Sequence, residues 1–202
     1  MRIAFLGDSL TEGSPGASYL RLLRPLLPGH ELLNHGRAGD SVVDLYARLQ
    51  HVALEPVDLA VIWIGTNDAA MGEWTSWAYE AFEPISWRGT VDRIAAVYAR
   101  LLALTLERAP RAVCVPPVIA DELDEAWGRR VADIAELVGA AVAVETRASL
   151  LDLAPDFAGA RARAGAPVRF TIDGVHLSEA GAAVVAGAFV EAIEATAGGS
   201  SD

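Results

Sequence analysis

Thiols are scarce in this sequence, in which Cys114 is the single cysteine among 202 residues. An intrachain disulfide is therefore excluded. Because Cys114 lies in an apolar run, a buried and unreactive thiol is expected rather than a nucleophile. The histidines His30, His35 and His51 have no ligand-like spacing to carboxylates or to this cysteine. No metal site is therefore expected.

Positive charge is scarce as well, since 16 lysine and arginine residues stand against 27 aspartate and glutamate residues, for a net charge of -11. This excess of negative charge favours solubility and works against binding to nucleic acid or to an anionic membrane surface. No G-x-G-x-x-G pattern follows the first apolar run, and no G-x-x-x-x-G-K-[ST] pattern occurs. These absences argue against dinucleotide and P-loop nucleotide binding.

Long apolar segments are also missing. The longest one, Ala180–Val190, is well short of the roughly 20 residues that a helix needs to cross a bilayer. At the N-terminus, Met1-Arg2 leads into only four apolar residues before Gly7, too few for the apolar region of a secretory leader. We therefore expect no membrane span and a cytoplasmic location.

Strand-like and helix-like patterns alternate along the chain. Short apolar runs bounded by turn residues predict five buried strands, at Arg2–Leu6, Glu31–Asn34, Leu59–Ile64, Ala112–Val115 and Ala140–Val144. Helical spacing and capping residues predict helices at Tyr19–Leu27, Ser41–His51, Thr90–Ala109, Asp121–Val138 and Ser178–Thr196. This alternation is typical of a three-layer α/β/α fold, in which helices cover both faces of a parallel sheet. The length fits a single domain, predicted at residues 1–197 with a frayed tail at 198–202.

Two long segments, Ala69–Arg88 and Ala154–Ile172, interrupt the alternation, and loops of this length are often functional or flexible. The first contains a cluster of aromatic residues that includes Trp74 and Trp77. On a helical turn these two side chains would share a face. Three interpretations stay open: local core, a surface for a protein partner, or the wall of a substrate pocket. We expect Trp74 and Trp77 to limit the length of the acyl chain that the pocket accepts.

Polar residues follow the predicted strands at their carboxyl ends, where open α/β sheets bind their ligands. Gly7-Asp8-Ser9 follows the first strand, residues 34–40 follow the second, and Gly65-Thr66-Asn67-Asp68 follows the third. Asp173-Gly174-Val175-His176 comes just before the last helix. Each segment alone is typical of a turn or a helix cap, whereas together they carry complementary chemistry at one rim of the sheet.

That chemistry is acyl transfer by a serine. A serine hydroxyl becomes a good nucleophile when a base takes its proton, and His176 can be that base for Ser9. Asp173, three residues before it, can orient the imidazole and stabilise its charged form. A glycine after the second strand, the Asn67 amide and the Ser9 N–H can stabilise the oxyanion. Gly36 and Gly39 compete for the glycine role.

Asp8, beside the nucleophile, is expected to accept hydrogen bonds from N–H groups of its loop rather than to act as a catalytic acid. Its place directly after a predicted strand is typical of a residue that caps the following turn.

The four segments resemble the sequence blocks of the SGNH (GDSL-type) hydrolases. The run FLGDSLTEG at residues 5–13 resembles the first block, the run from Asn34 to Asp40 the second, GTND at 65–68 the third, and DGVHL at 173–177 the last. The resemblance implies a flavodoxin-like fold with a parallel five-stranded sheet and no metal or organic cofactor. It places the nucleophile at Ser9, the acid and base at Asp173 and His176, and the oxyanion donors at Gly39, Asn67 and Ser9.

The expected function is hydrolysis of a carboxylic ester of a small molecule, with a short acyl group, through an acyl-enzyme. An acyltransferase would use the same residues and is kept as an alternative. A non-catalytic flavodoxin-like module that binds a small molecule or a protein is the second alternative. A complete set of Ser9, His176 and Asp173 argues against this module.

Overall fold

A five-stranded parallel sheet forms the centre of the molecule. The computed structural model describes residues 1–51, 55–71, 87–121 and 125–198. Within them the strand order is β2-β1-β3-β4-β5. The strands are β1 (Arg2–Gly7), β2 (Glu31–Gly36), β3 (Leu59–Trp63), β4 (Ala112–Val115) and β5 (Ala148–Leu150). The α/β fold with a parallel five-stranded sheet is confirmed.

Helices cover both faces of this sheet. They are α1 (Ser9–Glu12), α2 (Tyr19–Leu26), α3 (Val42–His51), α4 (Thr66–Met71), α5 (Trp87–Leu106), α6 (Glu125–Ala143), α7 (Ala154–Ala164) and α8 (Glu179–Gly198). One cluster of buried side chains joins the sheet to α2, α7 and α8. A second cluster joins the opposite face to α3, α5 and α6. The three layers predicted from the sequence are therefore present.

The central strands are apolar on both faces because both faces are covered. Along β1, Ile3 and Phe5 point into the first cluster, whereas Ala4 and Leu6 point into the second, and none of the four is exposed to solvent. This follows from the alternation of side chains along a strand. Full burial of each large aliphatic or aromatic side chain contributes about 1.5–3 kcal/mol to folding.

Helix α8 is long and apolar enough to cross a membrane by the criteria of length and composition. Core helices of soluble proteins have the same properties. In this structure Ala182, Val185, Phe189 and Ile193 on α8 are buried in the first cluster, where the Phe189 ring lies 5.7 Å from that of Phe5. Packing against the sheet therefore accounts for the apolar composition of α8.

The prediction of the fifth strand at Ala140–Val144 was wrong. These residues continue α6, which ends at Ala143, and the fifth strand is Ala148–Leu150. A short alanine-rich run fits a helix at least as well as a strand, since alanine has the highest helix propensity. Strand β5 lies at the edge of the sheet and is largely exposed, so it has no apolar run to reveal it.

Two further elements differ from the predictions. The segment Ala154–Ile172 is not a continuous loop, because it contains α7, which is capped at its C-terminus by Gly165 with a φ of +63°. Helix α5 begins at Trp87, earlier than the predicted Thr90, and it ends at Leu106. Asp121 was predicted to cap a helix, and residues 122–124, which that prediction concerns, lie outside the described residues. The Asp121 carboxylate accepts hydrogen bonds from Phe170 and Thr171.

The order of the strands places β1 between β2 and β3, and Gly7 at its end is paired with Gly36 and Trp63. The chain runs outward in opposite directions from this point. Loops on the two sides of such a switch point diverge and leave a crevice, which is where doubly wound sheets bind ligands. Ser9 follows β1 directly and therefore lies in this crevice.

Candidate active site

Ser9 is the first residue of α1, the short helix that follows β1. Asp8 caps this helix, and its Oδ1 accepts the N–H of Leu10 at 2.9 Å, as expected from the sequence. The turn into the helix requires a glycine at position 7, because a Cβ there would lie 2.4 Å from the carbonyl oxygen of Trp63. Strand end, cap and helix together fix the backbone at Ser9.

Asp173 and His176 lie on a tight turn before α8. Asp173 Oδ1 accepts the N–H groups of His176 at 2.8 Å and of Val175 at 3.0 Å. Gly174 has a φ of +95°, a conformation that glycine adopts without steric cost. The residues that flank the turn on each side form its two stems. They are joined by the N–H of Ile172, which donates to the His176 carbonyl at 2.8 Å.

The fold brings these residues together with Ser9, which is 167 positions from His176 in the sequence. Ser9 Oγ lies 3.0 Å from His176 Nε2, and His176 Nδ1 lies 2.6 Å from Asp173 Oδ2. With Nδ1–H donating to Asp173, Nε2 is left as an acceptor for the hydroxyl proton of Ser9. This is the geometry that a serine nucleophile, its base and an orienting acid require.

The Asp173 carboxyl is held in its charged form. Partial burial raises its pKa, but hydrogen bonds from the His176 ring and from the N–H groups of His176 and Val175 have the larger combined effect. The pKa of Asp173 therefore lies below its ordinary value of 3.8. An ionised Asp173 keeps the proton on Nδ1 and stabilises the imidazolium that forms when Nε2 takes a proton.

Asn67 lies at the start of α4, beyond β3, and links the loops on either side of Ser9. Its Nδ2 donates one hydrogen bond to the Asp40 carbonyl at 2.9 Å. An amide nitrogen has a second hydrogen to donate. The neighbouring Asp68 accepts the N–H of Val42 at 3.0 Å, which also ties the loop after β3 to the loop after β2. Both loops are thus fixed relative to one another.

The two glycines after β2 differ in what their N–H groups do. The Gly36 N–H donates to Asn34 Oδ1 at 2.8 Å, and a Cβ at Gly36 would lie 2.1 Å from the Glu12 nitrogen. Gly36 therefore allows close packing of β2 against α1. Gly39 has a φ of +83° and open space where a Cβ would be. This difference favours Gly39 over Gly36 as an oxyanion donor, and that role stays a prediction.

Three buried carboxylates, those of Asp8, Asp40 and Asp68, belong to the loops around Ser9. Burial raises the pKa of Asp8, the Leu10 N–H lowers it, and the charges of Asp68 and Asp40 raise it, so that the pKa moves from 3.8 to about 7. Burial also raises the pKa of Asp40, which Arg48 partly opposes through hydrogen bonds of 2.7 and 2.9 Å. No local sequence pattern indicates the Arg48–Asp40 pair, which depends on the position of α3 against the loop.

Other predicted features have different outcomes. Trp74 and Trp77 lie outside the described residues. Cys114 is buried, as predicted, and burial raises the pKa of its thiol to about 11 although the neighbouring Tyr98 lowers it. Among the residues that the structure describes, no group of three or more histidine, cysteine, aspartate or glutamate side chains is placed to hold a metal ion.

Comparison with known proteins agrees with this geometry. Residues 5–184 match the sequence model of the GDSL-like Lipase/Acylhydrolase family. The chain belongs to this family. The SGNH (GDSL-type) resemblance inferred from the four sequence blocks is thereby confirmed. None of the curated proteins matches the chain in sequence.

Solved structures of the same fold include enzymes at low sequence identity. An alpha/beta hydrolase from the metagenome of Lake Arreo, Spain, is 22% identical, with a TM-score of 0.74 over 95% of this chain and 94% of that chain. An acetylxylan esterase from Geobacillus stearothermophilus is 22% identical, with a TM-score of 0.73 over 94% of this chain and 92% of that chain. Catalytic mutants of the Geobacillus enzyme replace a serine, an aspartate and a histidine by alanine.

Proposed function

We propose that this member of the GDSL-like family is a serine esterase that hydrolyses carboxylic esters through an acyl-enzyme. The observation that carries the proposal is the relay from Ser9 Oγ to His176 Nε2 at 3.0 Å and from His176 Nδ1 to Asp173 Oδ2 at 2.6 Å. The catalytic mutants of the Geobacillus esterase support it, because they affect the same three residue types.

In the first half of the proposed reaction, Ser9 Oγ attacks the ester carbonyl carbon while His176 Nε2 takes the hydroxyl proton. The carbonyl oxygen becomes an oxyanion that the N–H groups of Ser9 and Gly39 and the amide of Asn67 stabilise. The tetrahedral intermediate then collapses, the bond to the alcohol oxygen breaks, and His176 gives its proton to that oxygen. The acyl group stays on Ser9.

In the second half, water replaces the alcohol and the same groups act again. His176 takes a proton from the water as its oxygen attacks the acyl carbon, and then returns that proton to Ser9 Oγ as the acid leaves. An acyltransferase would differ only in using another hydroxyl compound in place of water. Asp173 remains ionised throughout and holds the His176 ring in position.

For the substrate, we propose esters with short acyl groups, and acetylated carbohydrates are the first class to test. Acetylxylan esterases are among the solved structures that share this fold. Aryl esters of increasing acyl length, alongside acetylated sugars, would define both sides of the ester. Preference for long-chain aryl esters would contradict the short-acyl proposal.

Labelling with a fluorophosphonate tests the mechanism directly. The reagent should modify Ser9 in the wild-type protein and leave Ser9→Ala unlabelled. The same substitution should abolish ester hydrolysis with little change in melting temperature, since Ser9 belongs to neither cluster of core side chains. A non-catalytic binding module would show neither labelling nor hydrolysis. Hydrolysis by purified Ser9→Ala at the wild-type rate would disprove the proposed nucleophile.

A further inference from the structure

The carboxylate of Asp121 binds the stem of the turn that carries Asp173 and His176. Its Oδ2 accepts three hydrogen bonds, from the N–H of Phe170 at 3.0 Å, the N–H of Thr171 at 2.8 Å and the hydroxyl of Thr171 at 2.6 Å. Asp121 follows β4, about 50 positions earlier in the chain. The turn is therefore held by the chain segment that follows β4, which contributes no residue to the proposed relay.

The contact continues from the stem into the turn. Thr171 Oγ1, which donates to Asp121, also accepts the N–H of Gly174 at 3.2 Å. Gly174 directly follows Asp173, whose carboxylate holds the His176 ring. Two hydrogen bonds thus connect Asp121 through Thr171 to Gly174, the residue bonded directly to Asp173.

Arg161 on α7 fixes the other oxygen of the carboxylate. Its guanidinium donates to Asp121 Oδ1 at 2.8 Å and to the Ala120 carbonyl at 2.6 Å, and it lies over the Phe170 ring at 4.9 Å from the centroid. Burial alone would raise the pKa of Asp121, but the hydrogen bonds from Thr171, Arg161 and Phe170 lower the pKa below its ordinary value. Asp121 therefore keeps its charge, and its hydrogen bonds are of the stronger, charge-assisted kind.

On this side the turn borders an open cavity of about 750 Å³, lined in part by Asp121, Thr171, Asp173 and Gly174. The opposite stem is fixed at the start of α8, where the Ser178 N–H donates to the Phe170 carbonyl at 2.8 Å. Asp121 and the start of α8 thus hold the turn at two separate places. Of the two, Asp121 is the one that contacts Thr171, which accepts the Gly174 N–H.

We propose that Asp121 is a positioning residue for the reaction, which acts through Thr171 and Gly174 to hold Asp173 and His176 in line with Ser9. The inference rests on the proposed esterase function. A displacement of the His176 ring by a fraction of an ångström would lengthen the 3.0 Å contact with Ser9. Small misplacements of this kind reduce the rate of the chemical step much more than substrate binding.

Asp121→Asn is the first variant to test. It keeps the shape of the side chain, but its NH2 group must face either the donors of Phe170 and Thr171 or the donors of Arg161. We expect kcat for an aryl ester to fall roughly 10- to 100-fold. We expect KM to change by less than about 2-fold, since no substrate contact is lost. Glu145→Gln is the matched control, because Glu145 also accepts a backbone N–H and pairs with an arginine, Arg147.

A pair of substitutions at Thr171 tests the link to the turn. Thr171→Val removes the hydroxyl while keeping the shape of the side chain, and Thr171→Ser keeps the hydroxyl. Thr171→Val should lower kcat as Asp121→Asn does, whereas Thr171→Ser and Glu145→Gln should stay near the wild-type value. If Asp121→Asn fails to fold, the comparison of Thr171→Val with Thr171→Ser tests the proposal by itself. Equal loss in Thr171→Val and Thr171→Ser would overturn the proposal.

A spectroscopic readout separates this inference from the proposed function. The proton on His176 Nδ1, in its 2.6 Å contact with Asp173, should give a low-field proton NMR resonance. We expect it to shift or broaden in Asp121→Asn and in Thr171→Val and to be unchanged in Glu145→Gln. Ester hydrolysis by Ser9→Ala would refute the esterase mechanism. The resonance would still show whether Asp121 positions the turn. A wild-type resonance and kcat in Asp121→Asn would overturn the positioning role.

Discussion

At the residue scale, hydrogen bonds hold the side chain of Asn67, one of the proposed oxyanion donors, in place. Asn67 is fixed by its bond to the Asp40 carbonyl, and Asp40 in turn is paired with Arg48 at 2.7 Å. A donor that does not have to reorganise during the reaction stabilises charge more than water can. The part of Asn67 in the reaction is therefore expected to be large for a single side chain.

Asn67→Ala should lower kcat by roughly 10²–10³-fold with a smaller effect on KM, because the donor matters most in the transition state. Asn34→Ala is a suitable control, since Asn34 lies at the end of the neighbouring strand and its amide donates to the Glu12 carbonyl instead. Steady-state kinetics on one aryl ester measure both variants. Unchanged kcat in Asn67→Ala would remove this residue from the oxyanion site.

At the element scale, the segment between α4 and α5 is expected to shape specificity. It follows α4, the short helix after β3 that contains Asn67, so the chain enters it near the rim where Ser9 lies. Apolar walls with few polar groups are usual in small-molecule sites. Trp74 and Trp77 are the side chains that the sequence offers for this purpose, and their role as pocket residues stays a prediction.

Trp74→Ala or Trp77→Ala should shift the ratio of kcat/KM between long and short aryl esters by roughly 10-fold or more. Phe189→Ala is the control, because this ring packs on Tyr19 at 5.1 Å in the core and its loss should cost about 3–5 kcal/mol of stability without a change in preference. Kinetics across the ester series and thermal unfolding separate the two effects. Tryptophan variants that lose only stability would assign these rings to the core.

At the scale of the whole molecule, stability should depend on pH through the buried carboxyl of Asp8. Its pKa is raised to about 7 in the folded protein. Between its ordinary value of 3.8 and about 7, the folded state holds a proton that the unfolded chain has released. The contribution of Asp8 to the free energy of unfolding therefore falls as pH rises through this interval and is lowest above it.

Asp8→Asn should remove this dependence, because an amide resembles the protonated carboxyl and does not titrate. Its free energy of unfolding relative to that of the wild type should be higher at about pH 8 than at about pH 5. Asp152→Asn is the control, since Asp152 accepts the Ala154 N–H at 2.9 Å in a similar way but is exposed. Urea unfolding at both pH values gives the comparison. If the free energy of unfolding changed with pH in the same way in Asp8→Asn and Asp152→Asn, the effect of burial on the pKa of Asp8 would be contradicted.

The sequence alone determined the class of fold and the central residues of the candidate site. Strands such as Leu59–Trp63 are apolar throughout because two helix layers cover them, and that pattern is visible in the chain. Ser9, Asn67 and the turn at Asp173 and His176 lie where strands or stems end, so short local patterns were enough to find them. Their backbone geometry, from caps and glycines, is likewise local.

Tertiary structure alone decided the features whose partners are distant in sequence. Gly36 packs against α1, where a Cβ would lie 2.1 Å from the Glu12 nitrogen, and Gly39 is left as the favoured glycine. The exposed edge strand Ala148–Leu150 has no apolar pattern, because only one neighbouring strand and little core specify it. Asp121 meets Thr171 across 50 positions. No periodicity or motif encodes such a contact, since it exists only once β4 and the turn before α8 share one rim of the sheet.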